Sequence, residues 1–199
     1  MVNKAYWSKL ELVKASFDKS KTEVSSGSTF FQVTLHDFFS VQDYAKIKQE
    51  LHQLKFKPEK NPLTHSYSVG KSPALTKLFN TKSILEFISG VVRKSVKSVT
   101  AAAYSFSGRD YTILNDSKNR DNTYDLILDC TEGWDTSWGG SVIYVDGKGN
   151  YFPIPLKPNT LTIVKRSGIK GFVKYLNNFA GTKNRVIVSL VIGPKQKLL

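Results

Sequence analysis

Past Arg93 the sequence breaks into short extended runs divided by turn chemistry, and this punctuation constrains the fold more than any other feature. The runs are Val96–Phe106, Tyr111–Leu114, Thr123–Cys130, Ser141–Asp146, Tyr151–Ile154, Thr160–Lys165, Gly171–Leu176 and Arg185–Ile192. Between them lie Gly139-Gly140, DGKGN at 146–150, PLKPN at 155–159 and NNFAGTKN at 177–184. Gly tolerates positive φ, Pro presets a turn dihedral, and Asn and Asp bond their own backbone, so these segments reverse the chain. Parallel strands need crossovers of about a dozen residues or more, usually helical. Intervals this short therefore predict an antiparallel two-sheet jelly roll.

The first ninety residues carry a different period. A leading helix is expected within residues 3–22 and a strand at Thr29–His36. Val41, Tyr44, Ile47, Leu51 and Leu54 form one apolar stripe, with Ser40 as N-cap and Asp43 three residues later, which predicts a helix over Val41–Leu54. Lys55–Pro62 reads as a charged connector and Leu63–Val69 as a weaker strand. Pro73–Phe79 and Thr81–Val92 read as helices, the first opening on proline. Helices followed by strands indicate the α+β class, with the N-terminal helices packed on one sheet. The expected organisation is an extension over 1–28, one domain over 29–194 with helices at 41–54 and 73–92, and a basic tail at 195–199.

The 199 residues carry a formal net charge of +13, unevenly spread. Residues 101–146 hold eight acidic and three basic side chains, whereas 147–199 hold ten basic ones and no acid. Such a surplus attracts nucleic acid, a ribonucleoprotein or an acidic protein. Lys outnumbers Arg 24 to 5, which tempers that inference because Arg is the better bidentate reader of phosphate. Lys165, Arg166, Lys174, Tyr175 and Lys183 make the candidate anionic-partner surface, since cations interleaved with aromatics suit single-stranded nucleic acid. Phe172 and Tyr175 differ in strand parity, so one of them belongs to the core. The single cysteine, Cys130, reads as a buried small hydrophobe. There is no transmembrane run and no secretory h-region, so an intracellular, cytoplasmic location is expected. P-loop, Rossmann and nucleophile-base patterns are absent.

Several stretches share an order with a known family. They are Tyr104…Gly108…Asp110-Tyr111…Leu114-Asn115-Asp116-Ser117, then YDLILDCTEGWDTSWGGSVIYVD at 124–146, LKPNTLTIVKRSG at 156–168 and NRVIVSLVI at 184–192. With HDFFSVQDYAKIKQEL at 36–51, the chain over roughly residues 30–193 resembles iron- and 2-oxoglutarate-dependent oxygenases of the prolyl-hydroxylase type. The resemblance implies a double-stranded β-helix with an active site at its mouth. It also implies a His-x-Asp and a distal His holding iron, a donor set suited to the ferrous ion.

At the positions matching His-x-Asp this chain has Asn115 and Ser117 with Asp116 between, and at the distal position Lys170 or Gly171. Its three histidines, His36, His52 and His65, all precede the strand-rich half, and their spacing supports no metal site. Asn115–Ser117 is an ordinary polar turn, a repurposed polar pocket, or a segment keeping a metal role for Asp116 alone. A lysine at the mouth repels a divalent cation and can stand in for its charge. Arg185, with Tyr104, falls where the resemblance places the oxo-acid carboxylate. Alternation turns Arg185 inward, where it needs either that ligand or a protein carboxylate among Asp125, Asp129 and Asp146.

The leading expectation is a degenerate, non-catalytic fold member without cofactor, a basic scaffold for RNA or a ribonucleoprotein. The alternative is a working dioxygenase using Fe(II) and 2-oxoglutarate at an atypical site, with ligands folded back from the N-terminal third. A structural partner of an intact paralogue is a third possibility.

Overall fold

The computed structural model describes residues 31–114, 124–154, 157–166 and 168–192. The expected leading helix, the whole N-terminal extension and the basic tail lie outside them, as do Asn115, Asp116 and Ser117. Among the described residues eleven strands and three α-helices follow in order: β1 (Phe31–Leu35), α1 (Val41–Gln53), β2 (Lys57–Asn61), β3 (His65–Gly70), α2 (Pro73–Phe79), α3 (Lys82–Val92), β4 (Val99–Phe106), β5 (Tyr111–Thr112), β6 (Tyr124–Asp129), β7 (Val142–Val145), β8 (Tyr151–Pro153), β9 (Thr160–Lys165), β10 (Lys170–Val173) and β11 (Arg185–Ile192). The larger sheet runs β1-β9-β6-β11-β4-β3-β2, with β5 also on β3, and the smaller runs β10-β7-β8. Every pairing is antiparallel. This is the double-stranded β-helix, in the α+β class. No helix among the described residues is long and apolar enough to cross a membrane.

The larger sheet is buried on both faces, and strand alternation sorts its residues into two cores. Ala101, Ala103, Leu126, Leu128, Leu161, Ile163, Val188 and Leu190 pack outward against Ile47, Leu75, Phe79, Ile84, Phe87 and Ile88 of the helices. Ala102, Tyr104, Phe106, Ile127, Val164 and Ile187 point the other way, toward Val142, Tyr144 and Val173 of the smaller sheet. Consecutive alanines in β4 let the helical layer approach closely. Asn80, capping α2, seals this seam by accepting from the Val99 amide at 2.9 Å and donating to the Thr76 and Val99 carbonyls.

Helix α1 begins as the capping pattern requires: Ser40 Oγ accepts from the Asp43 amide at 3.2 Å and donates to its carboxylate at 2.7 Å. Tyr44 and Ile47 face the core, but Val41, placed in the stripe from sequence, is 87 % exposed. At N1 the helix has only begun to turn, so its side chain clears the sheet. Residues 57–61 are a strand, not a connector. Their lysines and Pro58 suit an exposed edge, where one row of backbone groups needs no partner.

The PLKPN turn hides a clamp. Asn159 adopts φ +56°, its side chain accepts from the Phe39 amide at 3.0 Å and donates to the Phe39 carbonyl at 2.9 Å, and its own carbonyl accepts from Phe38. It ties the chain after β1 to the start of β9. The Gly139-Gly140 pair is equally specific. Both take positive φ, and a Cβ on Gly139 would stand 2.1 Å from the Tyr175 carbonyl oxygen. That close approach joins the short 3-10 turn Thr136–Trp138 to the segment leaving β10, where Asn177 donates from its amide to the Trp138 carbonyl at 3.0 Å.

Candidate ligand cavity and basic face

Between the two sheets lies a cavity of about 470 Å³. Its walls come from β3 (His65, Tyr67), β5 and its exit (Thr112, Ile113, Leu114), β6 (Asp125, Ile127), β7 (Val142, Tyr144), β10 (Gly171–Val173) and β11 (Ile187, Ser189), with Arg166 just past β9. Most of the lining is apolar. One polar group stands out: Arg166 Nη1 donates to Asp125 Oδ2 at 2.8 Å, and Tyr144 Oη donates to the same oxygen at 2.7 Å. The Arg166 side chain is 8 % exposed and that of Asp125 26 %. Burial, together with the Asp125 charge, raises the Tyr144 phenol well above its ordinary value, so it stays a donor. Gly171 makes the room, for a Cβ there would lie 3.0 Å from the Tyr144 ring and 3.5 Å from Arg166 Nη1.

At the other end of the barrel a second pair is sealed. Arg185, 1 % exposed, donates from Nη1 to Asp129 Oδ1 and to Thr131 Oγ1, the latter at 2.8 Å, and from Nε to the Gly140 carbonyl at 3.3 Å. Of the three carboxylates considered from sequence, Asp129 is its partner. Asp125 takes Arg166, and Asp146 caps the β7–β8 turn by accepting from the Lys148 and Asn150 amides.

The site residues anticipated from sequence therefore scatter. Arg185 turns inward as alternation requires, yet it meets a protein carboxylate and does not line the cavity. Tyr104 stands behind Tyr67, edge to face at 5.3 Å, and does not line it either. Lys170 is half-buried opposite Val145 and outside the cavity wall, while Gly171 is in it. Arg166 was assigned to the surface and is buried. Thr160, Thr162 and Val164 before it all point inward, so the period of two had already carried residue 166 into the barrel. Asp110, in the stretch after β4, is a buried clamp accepting from Ser107 and Ser66.

His65 is the residue that sequence separation concealed. Pairing of β3 with β5 sets it opposite Thr112, at the cavity mouth, stacked on Tyr67 at 4.9 Å. Its Nδ1 bonds Thr64 Oγ1 at 2.9 Å. An imidazole from the first third of the chain thus reaches the strand-rich half. Cys130 packs against the helical core, and burial raises its thiol far above the ordinary range.

A second surface forms where the Thr136–Trp138 turn meets the 3-10 turn Asn178–Ala180. Phe179 is 84 % exposed and Tyr175 49 %, and Tyr175 lies 6.5 Å from the Tyr111 ring. Lys183 Nζ sits 4.8 Å over the Trp138 ring, which meets Trp134 edge-on. Arg109, Lys174 and Lys183 are exposed around these rings, and Lys165 is half-buried near the end of β9. Asn177 Nδ2 donates to the Ser137 carbonyl at 2.7 Å and the Arg109 amide to the Leu176 carbonyl at 2.9 Å, which fixes the ledge.

The sequence matches no family model and no curated protein. The fold is shared with solved oxygenases. A prolyl-4-hydroxylase from Pseudomonas putida superposes with TM-score 0.67 at 10% identity, over 94% of this chain and 100% of that one. A prolyl hydroxylase from Trichoplax adhaerens, solved with a hypoxia inducible factor oxygen degradation domain peptide fragment, gives 0.67 at 11% identity over 94% and 92%. An oxidoreductase of the 2OG-Fe(II) oxygenase family from Burkholderia pseudomallei gives 0.65 at 11% over 80% and 84%. At these identities the likeness is one of architecture.

Fe(II) and 2-oxoglutarate can be tested against the side chains. Among the described residues no three His, Cys, Asp or Glu groups converge to hold a metal ion. The arginine that would fork onto an oxo-acid is committed to Asp129, and the cavity's own arginine to Asp125. The described residues do not fit a dicarboxylate seat.

Proposed function

We propose that this chain is a non-catalytic version of the oxygenase barrel, a binding module whose basic, aromatic-edged ledge takes single-stranded RNA. The observation that carries the reading is the ledge itself: Tyr175 and Phe179 are held open to solvent by fixed turns, with Arg109, Lys174 and Lys183 around them. Exposed rings on a rigid support stack bases of any sequence, and cations beside them neutralise phosphates. The absence of catalysis is supported by Asn115 and Ser117 at the positions matching the metal motif and by the two internal Arg–Asp pairs.

The test is fluorescence anisotropy with a labelled single-stranded RNA over a salt series. Three ledge cations predict a log–log slope of about −2. Tyr175→Ala and Phe179→Ala, both surface changes, each lose about 1–3 kcal/mol of binding. No binding at low salt, or full affinity in both variants, sinks the RNA reading.

One observation favours a working dioxygenase with an atypical metal site, namely His65 at the cavity mouth. That reading predicts stoichiometric iron after anaerobic reconstitution and succinate release from 2-oxoglutarate, both lost in His65→Ala. Either result in the unmodified protein ends the non-catalytic reading.

A further inference from the structure

The cavity has a recognition chemistry of its own, independent of the RNA ledge. We infer that it is a binding site for an uncharged, mainly apolar small molecule that carries one hydrogen-bond acceptor, such as an aromatic ketone. Its volume, about 470 Å³, falls in the range of pockets that hold a drug-sized ligand. Ile113, Leu114, Ile127, Val142, Val173 and Ile187 supply an apolar wall, with the Tyr67 and Tyr144 rings beside them. The entrance is apolar too: Ile113 and Leu114, both lining the cavity just past β5, are large side chains left exposed.

Charge decides against an anion. Among the described residues lining the cavity Arg166 is the only Lys or Arg, and Asp125 already neutralises it at 2.8 Å. A carboxylate entering here would lose its water, gain no uncompensated cation and face the Asp125 charge. A neutral molecule meets none of these penalties. A polar anchor is nevertheless present. The Tyr67 side chain lines the same space, and its hydroxyl, which bonds no described residue, can donate to an acceptor brought by a ligand.

The experiment titrates the full chain with two neutral dyes, Nile red, which carries a carbonyl, and diphenylhexatriene, which carries no heteroatom. Both are expected to bind saturably at one site, and excess 2-oxoglutarate displaces neither. Tyr67→Phe keeps the ring but removes the hydroxyl, and weakens Nile red about tenfold while sparing diphenylhexatriene. Ser189→Phe fills the cavity and abolishes both. Should that variant fail to fold, Leu114→Asp on the exposed lip replaces it and weakens both about fivefold or more. The inference is overturned if the folded protein binds neither dye or if 2-oxoglutarate displaces them. It is equally overturned if Tyr67→Phe affects the two dyes alike, or if neither cavity variant changes binding.

Discussion

Replacing Asp129 with alanine strands the Arg185 guanidinium in a site that is 1 % exposed. Its remaining contacts are the Thr131 hydroxyl and the Gly140 carbonyl, neither of which carries charge. The Thr131 amide, which donates to Asp129 Oδ1 at 2.9 Å, loses its acceptor as well. Breaking a buried pair from one side costs about 3–5 kcal/mol, because the survivor is an uncompensated charge. For a domain of this size each kcal/mol moves Tm by roughly 2–4 °C, so a fall of about 6–20 °C is expected. The same pair is poorly satisfied in the intact protein, since Asp129 Oδ2 is buried without a partner. Removing both members together, as Asp129→Leu with Arg185→Met, therefore restores stability to within about 1 kcal/mol of the parent or above it. Urea unfolding followed by circular dichroism gives the double-mutant cycle, with the slope m checking that the unfolded state is unchanged. A loss below about 1 kcal/mol in Asp129→Ala, or a double variant worse than either single one, refutes the claim that this end of the barrel is closed by a buried ion pair.

Gly139→Ala places a methyl against the Tyr175 carbonyl at positive φ and costs more than Gly140→Ala, whose Cβ meets the movable end of Leu176 at 2.9 Å. Thermal melts are expected to rank them in that order, with the first losing about 2 kcal/mol or more. Ser40→Ala removes the cap of α1 and costs about 1 kcal/mol by chemical denaturation. Burial raises the phenols of Tyr44, Tyr104 and Tyr144 in the folded state. A raised pKa contributes stability that is complete below the unfolded value near pH ~10 and is lost as pH climbs through the folded values. Stability should hold to about pH 10 and then decline. Phenolate absorbance should leave at least these three of the nine tyrosines un-ionised until alkaline unfolding. Ionisation of all nine while the far-ultraviolet spectrum stays native contradicts the packing described.

The periods of two and 3.6 were written plainly enough in the chain to place ten of the eleven strands and all three described helices. They also placed the face to which Arg185 turns and the cap at Ser40. Local backbone chemistry acts between near neighbours, so turns, caps and alternation are read directly from residue order. The lysine- and proline-bearing edge strand at 57–61 escaped because its stabilisation comes from β3 across the ladder and not from its own composition. Arg166 was misplaced although alternation from Thr160 already pointed it inward. Its charge argued for solvent, and only Asp125, 41 residues earlier, makes its burial tolerable.

The choice of Asp129 over Asp125 and Asp146 for Arg185, the arrival of His65 beside Thr112 and the apolar cavity all depend on which strands lie side by side. Residue order determined that this chain builds two antiparallel sheets under a helical layer, because propensity and periodicity are local. Which charges neutralise one another was decided only by tertiary packing, because electrostatic partnership is a matter of distance in space.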